Sequence, residues 1–167
     1  PICAEIVSPV LNFSNDRHLK MILKITDKLN TLGLGVSKSC GFHVHVDVSD
    51  LSPQETMNLI KAYRFYEKDI DSVVNYERNS NSYCKSLYSI TKNQLQTSTI
   101  ENFTRSLYDS KYYKLSTHRW NSNKTLEFRQ HHGTLNFSEI YSWIKFCIEF
   151  VEIFRTKKVQ VQDISQK

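Results

Sequence analysis

The chain has no apolar run approaching the length of a membrane span, so no transmembrane helix is expected. It has no CxxC pair, because Cys3, Cys40, Cys84 and Cys147 are widely scattered. That spacing is a poor zinc pattern and implies no disulfide framework. It suits thiols in a reducing, cytoplasmic compartment. Internal repeats, low-complexity tracts and a convincing domain boundary are missing. No secretory signal opens the sequence, which starts at Pro1 without a methionine, as a fragment or processed product would. Glycosylation sequons begin at Asn12, Asn102, Asn123 and Asn136, but the chain is rich in Asn and Ser, and chance accounts for them. No Ser/His/Asp or Cys/His nucleophile set stands in a persuasive context.

What is present is ordinary for a globular protein. The 167 residues are 40% apolar and 23% charged, which argues against disorder and for one domain over 1–167. The polar tail over 157–167 is expected to fray. The formal charge of +5 is spread along the chain apart from Arg155, Lys157 and Lys158. A diffuse excess suits an anionic ligand such as a nucleotide. With no aromatic–basic signature of an RNA-binding module, no nucleic-acid partner is expected.

The most informative stretch is Ser39-Cys40-Gly41-Phe42-His43-Val44-His45-Val46-Asp47-Val48. Apolar residues alternate with His43, His45 and Asp47, so a strand would put the polar groups on one face. Burying them together is costly unless a metal or an anion binds them. The bland alternative is two histidines bonded to neighbouring backbone. Thr125-Leu126-Glu127-Phe128-Arg129 repeats the pattern with Glu127 and Arg129 on one face. Alone, such a pair is more often a surface ion-pair ladder. The expectation is that the two strands line one site.

Around them, strands are expected near 2–7, 41–48, 112–118 and 124–130 in one antiparallel sheet, the last two as a hairpin turning at Asn121-Ser122-Asn123. Helices are expected near 16–31, 53–75 and 138–155, covering one face, with a short one near 99–108. Asn15 or Ser14 caps the first. Ser52-Pro53-Gln54-Glu55 and Asn136-Phe137-Ser138-Glu139 are capping boxes for the other two. Met57, Ile60, Tyr63, Ile70 and Val74 form the buried stripe of the second helix. His131 and His132 begin the turn into the last helix, and at least one is expected to be structural.

Five segments occur in an order and spacing that resembles the amidoligase family, carboxylate–amine ligases related to glutamine synthetase. They are Glu5-Ile6-Val7-Ser8-Pro9, Cys40-Gly41-Phe42-His43-Val44-His45-Val46, Arg78-Asn79 with Tyr83-Cys84, Thr125 through Leu135, and Trp143. The resemblance runs from about residue 3 to residue 155. It implies ATP-dependent amide or peptide bond formation through an acyl phosphate. It also implies an α+β fold, a curved antiparallel sheet with helices packed on its outer face, like the catalytic domain of glutamine synthetase. By motif match, Glu5, His43 and Glu127 would be ligands of Mg2+ or Mn2+. His45 and Arg129 would contact ATP and serve catalysis. Arg78, Tyr83 and Lys114 would be nucleotide or substrate contacts. The partners implied are small-molecule or peptide carboxylates and amines, with no membrane. The sequence departs from the family in having no earlier strand with paired glutamates ahead of Glu5, and in Ser116, where asparagine is expected. The first departure motivates an alternative, a non-catalytic relative that binds a nucleotide or a partner. A metal-dependent hydrolase is the further alternative, disfavoured by the short chain.

Overall fold

The computed structural model describes residues 4–74, 78, 81–96, 99–107 and 110–156. Three long helices are joined to a small sheet. Helix α1 (Asp16–Thr31) starts at Asn15, whose side chain accepts from the Arg17 N–H. Helix α2 (Pro53–Val73) begins with the full capping box, Ser52 and Glu55 each receiving the other's backbone N–H. Short helices α3 (Lys92–Leu95) and α4 (Ile100–Ser106) follow. After them come one-turn helix α5 (Trp120–Asn123) and the long α6 (Phe137–Thr156).

The sheet has three antiparallel strands, β1 (Gly41–Asp47), β2 (Leu115–Ser116) and β3 (Thr125–His132), in the order β1-β3-β2. Mixed helices and an antiparallel sheet agree with the sequence reading, but among the described residues the fourth strand does not form. Residues 4–7 are irregular and exposed, with Ile6 at 62% and Val7 at 78%. No ladder pairs their backbone, and a strand forms only where its N–H and C=O groups have a partner. Residues 2 and 3 of that expected strand lie outside the described residues, as do 157–167, the expected frayed tail.

Two further corrections concern the other strands. The sequence pattern of β1 suggests full burial, yet β1 lies at the sheet edge, so Phe42, Val44 and Val46 are only half-buried. The expected strand over 112–118 shrinks to Leu115–Ser116. Ser110–Tyr112 is a 3-10 turn, and the Trp120 N–H already closes back on the Thr117 carbonyl at 2.9 Å. The hairpin connection is not a tight turn but the helical turn α5, ended by Lys124 in the left-handed region at φ 53°.

The core lies between the sheet and α2 and α6. Leu126 and Phe128 of β3 are fully buried, and Phe128 meets Tyr63 of α2 and Phe150 of α6 edge-on at 5.6 and 6.1 Å. Burying aromatic rings of this size is the main apolar gain available to the fold. The opposite face of β1 and β3 is thereby left to their polar side chains. No helix among the described residues is long and apolar enough to cross a membrane.

Candidate active site

The register of β1 against β3 sets the site. His45 stands opposite Glu127 and Val44 opposite Phe128, but Phe42 stands opposite His131. Arg129 and Gln130 therefore both face His43, which is a bulge in β3. At the bulge the Arg129 carbonyl accepts from Arg78 Nη2 at 3.1 Å and from the Cys84 thiol at 3.4 Å. Burial pushes that thiol up to about 11, so Cys84 serves as a donor and not as a nucleophile.

Glu127 is the centre of the cluster. Its Oε1 lies 3.2 Å from His43 Nδ1 and 3.7 Å from His45 Nε2, and it accepts a short hydrogen bond from Arg129 Nη1. Arg129 Nη1 also lies 3.4 Å from His43 Nδ1, and its Nε donates to the Tyr83 carbonyl at 3.4 Å. Glu127 is 6% exposed, and the Arg129 side chain 13%, so this is no solvated ion-pair ladder. Burial pushes the Glu127 carboxyl up. The hydrogen bond to His43 and the charges of Arg129 and His45 outweigh that and hold it below the usual range. The carboxylate is therefore ionised near neutrality. Burial moves His45 the other way, lowering its pKa, and the cations Arg119 and Arg129 act in the same direction against the pull of Glu127. A neutral imidazole can bind a metal or accept a proton.

Gly41 makes room for this arrangement. A Cβ there would stand 2.7 Å from His43 Nε2 and 2.8 Å from Arg78 Nη2. The Arg78 guanidinium thus lies against the glycine backbone beside His43, 2% exposed, with its Nε unpaired among the described residues. Tyr83 is 59% exposed, its ring packed on Tyr112 at 5.3 Å. It stands at the rim of the site rather than inside it.

Three sequence-predicted residues do not join the cluster. Glu5 is exposed on the unpaired segment and makes no ion pair among the described residues. Asp47 shares the polar pattern of the histidines, but its Oδ1 accepts from the Ser49 N–H at 2.9 Å and shapes the turn after β1. The ammonium of Lys114 is taken by α2. It lies 3.0 Å from Glu67 Oε1 and 2.7 and 2.8 Å from the Asp71 oxygens.

That buried group was missed from sequence. Asp71 also accepts from Gln130, whose Oε1 accepts from the Tyr63 hydroxyl, and Glu67 Oε2 accepts from the Leu87 N–H at 2.7 Å. The network ties α2, β3 and the turn at Leu87–Ser89 behind Arg129. A signal existed, because Glu67 falls at the apolar spacing between Tyr63 and Ile70. A carboxylate there needs a buried cation. Arg119 was missed too; it acts on His45 from the loop before α5.

The chemistry open to this face is that of an ionised carboxylate, a neutral imidazole and a held guanidinium around one point. Glu127 Oε1 and His43 Nδ1 are as far apart as two adjacent ligands of one small ion, about 3 Å for bonds of ~2.1 Å. A divalent cation that displaced the His43 Nδ1 proton from its hydrogen bond to Glu127 would find the two atoms at ligand spacing.

The model of the family described as "Putative amidoligase enzyme" matches residues 2–151. No curated protein and no solved structure matches the chain. A match over that span takes in both strands of the cluster, its glycine and its arginines, and the chain belongs to the amidoligase family.

Proposed function

We propose that the protein is an ATP-dependent carboxylate–amine ligase working through an acyl phosphate. The observation that carries this reading is the convergence of His43, His45 and Arg129 on the buried carboxylate of Glu127 in a family of ligase type. A carboxylate is a poor electrophile. Phosphorylation by ATP gives it a leaving group, and an amine then displaces phosphate. Such transfer asks the protein for charge neutralisation and alignment more than for a nucleophile of its own.

In this reading Glu127 and His43 hold a divalent cation. Magnesium takes few protein ligands and keeps waters and substrate phosphates, which suits a sparse site. A ligand set containing imidazole also admits manganese. When bound, the cation screens the phosphate charge. Arg129 supplies a planar fork of donors for the transferred phosphoryl oxygens, held in aim by Tyr83 and by the bulge. His45, neutral and half-exposed, contacts the phosphates from the β1 side. Arg119 and Arg78 add positive potential around the same point. Lys114 acts at one remove, by fixing to α2 the start of β2, where its carbonyl accepts from the Arg129 N–H.

Calorimetry with Mg-ATP, beside a phosphate-release assay with panels of carboxylates and amines, tests the proposal. The expected result is ATP binding, and phosphate release that requires both a carboxylate and an amine. Binding without release under any pairing would favour a nucleotide-binding relative, a second reading favoured by the exposure of Glu5 away from the cluster. Hydrolysis that needs metal but not ATP would overturn both.

A further inference from the structure

His131 and His132 are not used by the cluster described above. With Glu139 they form the one trio of His, Cys, Asp or Glu side chains among the described residues whose ligand atoms all lie within 4.8 Å of one another. They sit where β3 ends and α6 begins. We propose that His131, His132 and Glu139 form a second metal site, selective for a zinc-class divalent ion, that clamps the end of β3 to the first turn of α6.

The geometry of each side chain supports it. His131 Nδ1 lies 2.8 Å from the His132 carbonyl oxygen, and since a carbonyl only accepts, that nitrogen carries the proton. Its Nε2 is left with a lone pair. A ring nitrogen bonded to backbone while the other is free is the usual second contact of a metal-binding histidine. The ring is also fixed by packing. It lies edge-on to Phe42 at 5.9 Å, against Trp143 at 5.2 Å, and stacked on the His132 ring at 4.4 Å.

His132 is less well satisfied. Its Nδ1 is buried with no hydrogen-bond partner among the described residues. Its Nε2 stands 3.4 Å from Glu139 Oε2, at the long limit of a hydrogen bond. Two ligands of one tetrahedral ion, each bonded at about 2.0–2.1 Å, are separated by roughly that much.

Glu139 gives the independent observation. It occupies the third helical position of α6, where a capping box would bring its carboxylate back to the Asn136 N–H. Only half the box forms. Asn136 Oδ1 accepts from the Ser138 and Glu139 N–H groups at 2.9 and 3.4 Å. The Asn136 N–H instead goes to Thr134 Oγ1 at 3.1 Å, and the carboxylate turns to the histidine. Two imidazoles and one carboxylate suit zinc better than magnesium, and leave a fourth position for water. Gly133 lets the strand end close here, since a Cβ would stand 2.5 Å from Cys40 Cβ.

The test uses the tag-free full chain. Cobalt(II) is added and its visible absorption followed, then zinc is titrated by calorimetry, in wild type and in His132→Gln, Glu139→Gln and Glu127→Gln. The expected result is one zinc equivalent with a tetrahedral cobalt spectrum at this site, over and above any ion held by the β1–β3 cluster. Both should be retained in Glu127→Gln and weakened at least tenfold in His132→Gln and in Glu139→Gln. Glu139 is exposed, so Glu139→Gln should fold normally, and circular dichroism checks this. Zinc should also raise the melting temperature of wild type but not of that variant. Absence of zinc binding in wild type, equal binding in Glu139→Gln, or loss in Glu127→Gln alone would overturn the proposal.

Discussion

Arg129 touches the Glu127 carboxylate, the His43 ring and the Tyr83 carbonyl, while its own carbonyl is held by Arg78 and Cys84. Lysine would keep the charge but lose the planar fork. In an active preparation, Arg129→Lys should lower turnover by on the order of a hundredfold, the scale of losing one aimed donor. The KM for ATP should rise far less, because uniform binding is not what was removed. Steady-state kinetics with a thermal melt on the same sample checks this, and wild-type turnover in a folded variant would remove Arg129 from the mechanism. Gly41→Ala probes the same place from behind. Its Cβ would press on the ends of His43 and Arg78. Both must shift, so ATP affinity measured by calorimetry should fall even where the melt moves little.

Among the elements, the three long helices and strands β1 and β3 were legible because each carries its own periodicity and caps. Ser52 with Glu55 marks the start of α2, and the alternation around Glu127 marks β3. The shared polar face of the two strands was legible for the same reason. The bulge was not, since it depends on the register between strands, which neither strand encodes alone. Nor was the truncation of β2, which depends on the turn at Thr117. The family resemblance puts Lys114 with the nucleotide or substrate contacts, and its buried partners Glu67 and Asp71, far away on α2, could not be read from its place in the sequence. Lys114→Met would leave those carboxylates in a buried site without their cation and should cost roughly 3–5 kcal/mol. Burial lowers the Lys114 pKa, but the hydrogen bond to Asp71 and the charge of Glu67 outweigh it, and the net shift is upward from 10.5. A raised pKa means the contribution is complete below the ordinary lysine value and is lost as pH rises through the higher folded one. Urea melts across alkaline pH should show a steeper decline in wild type than in Lys114→Met, where only the buried Cys84, Cys147 and Tyr63 groups still oppose ionisation.

For the whole molecule, the sheet face is fixed by what covers the other side. Phe150 of α6 meets Tyr63 of α2 at 5.5 Å and Phe128 of β3 at 6.1 Å, so it joins all three layers behind the site. Phe150→Ala should cost about 3–5 kcal/mol, the transfer term plus a cavity. A lower denaturant midpoint with an unchanged slope would show it. The N-terminal segment has no such cover, and its pattern of Glu5, Ile6 and Val7 alone could not reveal whether a strand would find a partner.

On the proposed function, the β1–β3 cluster binds the divalent cation that accompanies ATP. Manganese binding, read by spin resonance of the free ion, tests it most directly. Measured in the Glu139→Gln background, the signal excludes any contribution from the histidine pair at α6. Measurable binding is expected there, weakened at least tenfold by Glu127→Ala and by His43→Ala with the fold retained, and unchanged by Tyr83→Phe. Equal manganese affinity with and without the Glu127 carboxylate would contradict it.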